Sequence, residues 1–370
     1  MENSSILQKD FFWFPLVKSP DVCYNKRVPR HAAGRGGFLI LAIGSMAVLC
    51  RKPPPFHKKG SLRRTKAIVI TMRIPPFSKT RMLTPTTDER LTANPAVVFS
   101  LFLIVNSLLS LSRSGVYQLA VSLWPRRVSF TDSMLIQLGA TLVPILGVLL
   151  YCMLVERRTL VSLGFSGRGA PLEYGLGLLG GVGLFGGGVL LCVVTGTMRV
   201  DPTATAPSWG LLALFLVGFM IQGMSEEMLC RSYLMVSVAR GWPLWAAATL
   251  NSLLFSLLHL GNSNVSVIAL INIFLFGLFA SLLTLRRGSI WMVGALHSAW
   301  NFAQGNLFGI PVSGIRGLPS PLVSTPSQGG WQTLINGGLF GLEGGLAATV
   351  ILLAACAVTL LCPTKRSELA

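Results

Sequence analysis

Hydrolysis of a carbonyl bond needs a base to take a proton from water and a preorganised dipole where negative charge develops. This sequence places residues of those types at helical spacing. Ser225-Glu226-Glu227-Met228-Leu229-Cys230-Arg231 closes an apolar block covering 209–224. Adjacent side chains on a helix point about 100° apart, so Glu226 and Glu227 face different surroundings. Glu227 and Arg231 are four apart and can pair along one face, with the acid in the favoured N-terminal position. Glu226 is left beside a like charge in partly apolar surroundings, which suits a general base. Phe255 and His259 lie one turn apart in a second apolar stretch, and His297 and Asn301 lie one turn apart in a third. Each pair shares a helix face. The chain has four histidines, and the other two lie in its N-terminal arm.

Glu226, His259, His297 and Asn301 can therefore converge from three helices into the interior of a bundle. Blander alternatives exist for each part. The glutamates can sit at a helix end in contact with water, and either histidine can serve as a helix–helix hydrogen-bonding residue. A serine nucleophile of the GxSxG type is not placed beside these histidines. Glu226, His259 and His297 would also satisfy a three-ligand zinc pattern with water in the fourth position, although HExxH is missing. The expectation is a site without a cofactor, with zinc as the alternative.

The ordered set EExxxR, FxxxH and HxxxN resembles the family of CAAX prenyl endopeptidases and bacterial self-immunity (Abi) membrane proteases. The motifs cover residues 209–302. The resemblance implies that Glu226 and His259 hold and activate a water molecule. It further implies that His297 and Asn301 donate to the oxyanion, with Glu227, Arg231 and Phe255 in support. It implies an intramembrane endopeptidase acting on a membrane-anchored or prenylated protein or peptide. One departure is local: Cys230 and Ser232 flank Arg231 where the family commonly has Phe and Gly. A non-catalytic membrane scaffold or immunity protein, or a proton-coupled transporter using the Glu/His cluster as a relay, are the alternatives.

The elements that must position these residues are written in hydropathy. Of 370 residues, 52% are hydrophobic and only 12% charged, about half the charge of an average soluble domain. Mean hydropathy is +0.63. Apolar runs occur at 96–112, 134–155, 175–196, 209–224, 242–260, 265–285, 290–308 and 340–362. Each is close to the ~20 residues that cross a bilayer core as a helix. The expected fold is an all-α polytopic transmembrane bundle of about eight spans. Residues 95–363 form the membrane domain, preceded by a basic, poorly ordered extension (1–94) and followed by a short cytoplasmic tail (364–370). Glycines four apart in Gly175–Gly188 read as a close helix-packing face. Glu343, early in the last run, reads as structural.

The net charge of +18 is uneven: residues 1–94 carry +12 and the remaining 276 carry +6. Concentrated in one non-periodic arm, that excess reads as a tail beside an anionic membrane surface and not as a nucleic-acid footprint. Within the arm, the apolar run 37–50 is short for a span. Lys and Arg fall nine against five in favour of both termini in the cytoplasm, with Arg113 and Arg231 counted in opposite loops. The expected location is a bacterial plasma membrane. Seven scattered cysteines suggest neither a zinc site nor a disulfide framework.

Overall fold

In a computed structural model, residues 82–84, 94–125, 127–167, 169–205 and 207–361 are described. The 37–50 run, most of the 1–94 arm and the tail after 361 lie outside the described residues.

Each of the eight apolar runs from residue 96 onward is largely helical. In chain order the helices are α1 (Pro95–Ser122), α2 (Phe130–Ala140), α3 (Leu142–Leu150), α4 (Ala170–Val194) and α5 (Trp209–Glu227). They continue as α6 (Val236–Ala239), α7 (Leu244–Leu257), α8 (Val267–Arg287), α9 (Trp291–Phe302), α10 (Gly330–Asn336) and α11 (Leu346–Leu361). Their starts follow ordinary capping. Ser208 and Ser266 accept from the third residue of α5 and α8, and Ser129 with Asp132 forms a reciprocal capping box on α2. Gly288, at φ 62°, closes α8 in the left-handed region.

Three π-helical segments extend α3 (Tyr151–Val155), α5 (Met228–Met235) and α9 (Ala303–Leu307). Through the second, α5 and α6 become one helix, Trp209–Ala239, of 31 residues. The apolar block that stops at 224 in the sequence therefore does not end its helix. The polar run Ser225–Arg231 lies in the middle of it, because its buried partners satisfy the charges.

Among the described residues, five helices are long and apolar enough to cross a membrane: Ala96–Ser122, Phe130–Val155, Ala170–Val194, Trp209–Ala239 and Val267–Arg287. The expectation of about eight spans is met in part. Helices α7 (14 residues) and α11 (16 residues) are shorter apolar helices, about 21 and 24 Å at 1.5 Å per residue against a core of ~30 Å. Nor is the chain purely helical. Met198–Pro202 (β1) pairs antiparallel with Leu322–Pro326 (β2), Val200 opposite Ser324. Glu343 lies in a one-turn 3₁₀ helix ahead of α11, not inside it.

Two arginines placed in loops by the charge count are inside helices. Arg113 lies within α1, which runs on to Ser122, and Arg231 is fully buried in the π segment after α5. Neither can report which side of the membrane a loop occupies. Of the basic arm, Met82 is described and buried, its methyl group against Gly164.

The glycine-rich stretch of α4 packs against α9. A Cβ on Gly177 or Gly181 would overlap the carbonyl oxygen of Met292 or Leu296. On the opposite side of α9, Gly223 of α5 approaches so closely that a Cβ would come within 2.7 Å of the Ser298 nitrogen. Such small residues let backbones meet where lipid offers no hydrophobic drive for association. Helix α9, which carries His297 and Asn301, is thereby held between α4 and α5.

Candidate active site

Glu226, His259, His297 and Asn301 line one cavity of about 120 Å³. Their depths agree once the real helix ends are used. Glu226 lies 13 residues before Ala239 and His259 lies 15 beyond Leu244, each about 20 Å from that common end at 1.5 Å per residue. His297, only six residues into α9, would fall short if α9 began at the same level. It does not. The Ile290 N–H donates to Gly164 O at 3.1 Å, and the neighbouring Leu163 O accepts the Ser232 hydroxyl at 2.6 Å. Ser232 lies seven residues inside the long helix. The segment before α9 thus starts about 10 Å in, and His297 comes level with Glu226.

The two glutamates have separate environments, as the 100° offset requires. Glu227 is fully buried, whereas the side chain of Glu226 is 23% exposed and faces the cavity. Glu227 Oε1 accepts from Arg231 Nη1 at 3.1 Å and from His297 Nδ1 at 2.8 Å. Arg231 also donates to Gly277 O at 3.1 Å and lies 4.6 Å over the ring of Phe255, a cation–π contact. A Cβ on Gly277 would meet Ser252 at 3.1 Å, so this carbonyl is reached through a tight α7–α8 crossing.

Phe255 and Phe276 wall the histidines. Phe255 contacts His259 and His297 edge-on at 4.9 and 6.0 Å between centroids, and Phe276 lies 4.9 Å from His297. His259 Nδ1 donates to Phe255 O at 2.8 Å, because a carbonyl can only accept. In the neutral ring the lone pair is then on Nε2. His297 Nε2 lies 3.6 Å from Glu226 Oε2.

Sequence reasoning missed Gln222. It is one turn before Glu226, and its Nε2 donates to Glu226 Oε1 at 2.6 Å while its Oε1 accepts from Asn301 Nδ2 at 2.9 Å. A lone amide in FLVGFMIQGM, four residues from a candidate base, was the available signal. Two further cavity residues were not foreseen in this role. Arg113 of α1 lines it, and so does Glu343, which accepts from Trp300 Nε1 (3.1 Å) and the Ser313 hydroxyl (2.7 Å). A smaller cavity of about 50 Å³ shares Arg113, Thr141, Glu226 and Phe255 with the first.

Among the described residues, no group of three or more His, Cys, Asp or Glu side chains is placed to hold a metal ion.

Residues 208–303 match the family model of type II CAAX prenyl endopeptidases, Rce1-like. This is the family that the three motifs resemble. The Rce1-like segment contains Gln222, Glu226, Glu227, Arg231, Phe255, His259, His297 and Asn301, and excludes Arg113 and Glu343. Comparison with curated proteins finds no similar sequence. Over that segment the chain is similar to a protease family, and among the described residues five helices are long and apolar enough to cross a membrane.

Proposed function

We propose that the chain is an intramembrane endopeptidase that cuts a prenylated, CAAX-type protein or peptide by glutamate-activated water, without a metal. The observation that carries this reading is the shared cavity, with Glu226 Oε2 3.6 Å from His297 Nε2 and His259 and Asn301 in the same wall.

Glu226 and His259 both offer acceptors, a carboxylate and the Nε2 lone pair. Held by both, a water has its two hydrogens engaged and an oxygen lone pair directed at the substrate carbonyl. As that oxygen bonds to carbon, Glu226 takes the proton. The carbonyl oxygen becomes an oxyanion, stabilised by Asn301 Nδ2, which has a second hydrogen beyond the one given to Gln222. His297 is the other donor. Its Nδ1–H is committed to Glu227, so Nε2 donates to the oxyanion when the ring carries both protons. Collapse of the tetrahedral intermediate breaks the C–N bond, and the proton held by Glu226 passes to the leaving amine. Peptide carboxylate and free amine result.

A polytopic membrane location, with both termini cytoplasmic in a bacterial plasma membrane, completes the proposal. The test is hydrolysis of a prenylated CAAX peptide by the purified full chain. Release of the C-terminal fragment by the wild type and its loss in Glu226→Gln is the expected result. Equal release by both would overturn the assignment.

A further inference from the structure

Arg113 is an ionised side chain two-thirds of the way along a membrane-length helix, outside the Rce1-like segment. A charge in such a position costs several kcal/mol unless it meets a partner or water. Arg113 lines both cavities beside Glu226, yet among the described residues it makes no hydrogen bond and no ion pair. The other arginines of the membrane helices are engaged: Arg231 with Glu227 and Gly277 O, Arg286 with Leu360 O, Arg287 with Glu173. A guanidinium has five donors in a planar fork that fits a carboxylate. Met134, Leu138, Thr141, Leu109 and Leu258 in the walls are apolar or uncharged; the carboxylates are Glu226, shared by both cavities, and Glu343, in the larger one only.

Resting on the peptidase reading of the site, we propose that Arg113 binds the C-terminal carboxylate of the substrate. A CAAX chain ends three residues after its prenylated cysteine with a free carboxylate. That anion therefore enters the membrane within about 10 Å of the bond to be cut, and a cation in the wall beside the base is what would receive it. Arg113 then selects for a true C-terminus over an internal copy of the same sequence. It is a specificity-determining residue whose position in α1 lets a helix outside the motif core set the register of cleavage.

Two prenylated peptides identical except for a C-terminal carboxylate or carboxamide separate this from other roles. With the purified full chain, KM for the acid should be roughly 10–100-fold below that for the amide, the value of a charge-assisted hydrogen bond. Arg113→Gln should raise the acid KM to the amide value while kcat stays within about twofold, and Arg113→Lys should recover part of the preference. Equal KM values in the wild type, or a preference kept in Arg113→Gln, would overturn the proposal. So would a fall in kcat shared by both peptides, which would make Arg113 only a countercharge to Glu226. Binding of fluorescent acid and amide peptides to Glu226→Gln, with and without Arg113→Gln, reads the same preference without turnover. Absence of wild-type cleavage with an intact binding preference would sink the hydrolase reading and leave the Arg113 assignment standing.

Discussion

One oxygen of Glu227 accepts from Arg231 at 3.1 Å and from His297 at 2.8 Å, so the ring of His297 is fixed by an ion pair in which neither partner touches solvent. Accepting from His297 requires a proton on Nδ1. The same oxygen thus sets the orientation of the ring whose Nε2 faces Glu226 and keeps a proton on its Nδ1.

Breaking that pair from one side leaves a buried charge without its complement. Glu227→Gln or Arg231→Met should each destabilise the folded protein by roughly 3–5 kcal/mol. The double variant should recover part of the loss, since no unpaired charge remains. Thermal unfolding in detergent of the four proteins closes the cycle; additive single losses would show that the pair is not coupled.

Glu226→Gln keeps the size of the side chain and can still bond Gln222 through either of its polar atoms. Stability should change little, and turnover should fall by about 10²–10⁴-fold, the range for a removed general base. Steady-state cleavage alongside a melting curve separates the two effects. A variant that melts as wild type and still cuts at more than a tenth of its rate would exclude Glu226 as the base.

Gln222 bridges Glu226 and Asn301, the proposed base and oxyanion donor. Gln222→Leu preserves bulk but removes both hydrogen bonds, so Glu226 and Asn301 lose the contact that orients them. A loss of one or two hydrogen bonds worth ~1–3 kcal/mol should appear as a 10–100-fold drop in kcat, with KM little altered. Gln222→Glu should be worse, because it places a second carboxylate against Glu226. If Gln222→Leu retains wild-type kcat, the bridge has no part in the reaction.

How much of this arrangement could be seen in the sequence depends on the range of each interaction. The apolar runs and the i, i+4 pairs were legible because they are local: Glu227 with Arg231 and Phe255 with His259 each meet within one turn. The extent of the helices was less so. Arg113 and Arg231 look like helix ends by hydropathy, and only tertiary partners or a cavity wall explain why the helix passes through them. Gln222 is local too, but an amide alone does not announce that Asn301, 79 positions on, will complete its bonding. The inward start of α9 depends on Gly164 accepting from Ile290, a contact with no sequence signature. The strand pair β1–β2 joins segments more than 100 residues apart and was hidden for the same reason.

Helix α9 owes its place to glycines, and that makes the site sensitive at a distance. At Gly181 a Cβ would overlap Leu296 O and approach Ala299 Cβ at 2.8 Å and the Trp300 nitrogen at 3.0 Å. All three neighbours belong to the turn between His297 and Asn301 or flank it. Backbone atoms cannot rotate away as a side-chain tip can, so Gly181→Ala must push α4 and α9 apart, an overpacking penalty of about 1–3 kcal/mol. The displacement falls on the helix carrying both proposed oxyanion donors, where a shift of 1 Å can lower the rate about 10²-fold. Gly181→Ala should therefore lose activity out of proportion to its stability. Gly183→Ala, on the same helix with nothing within 4 Å of the added methyl, should keep both. Matched melting curves and cleavage rates check this, and equal behaviour of the two variants would mean that α9 is not positioned by its contact with α4.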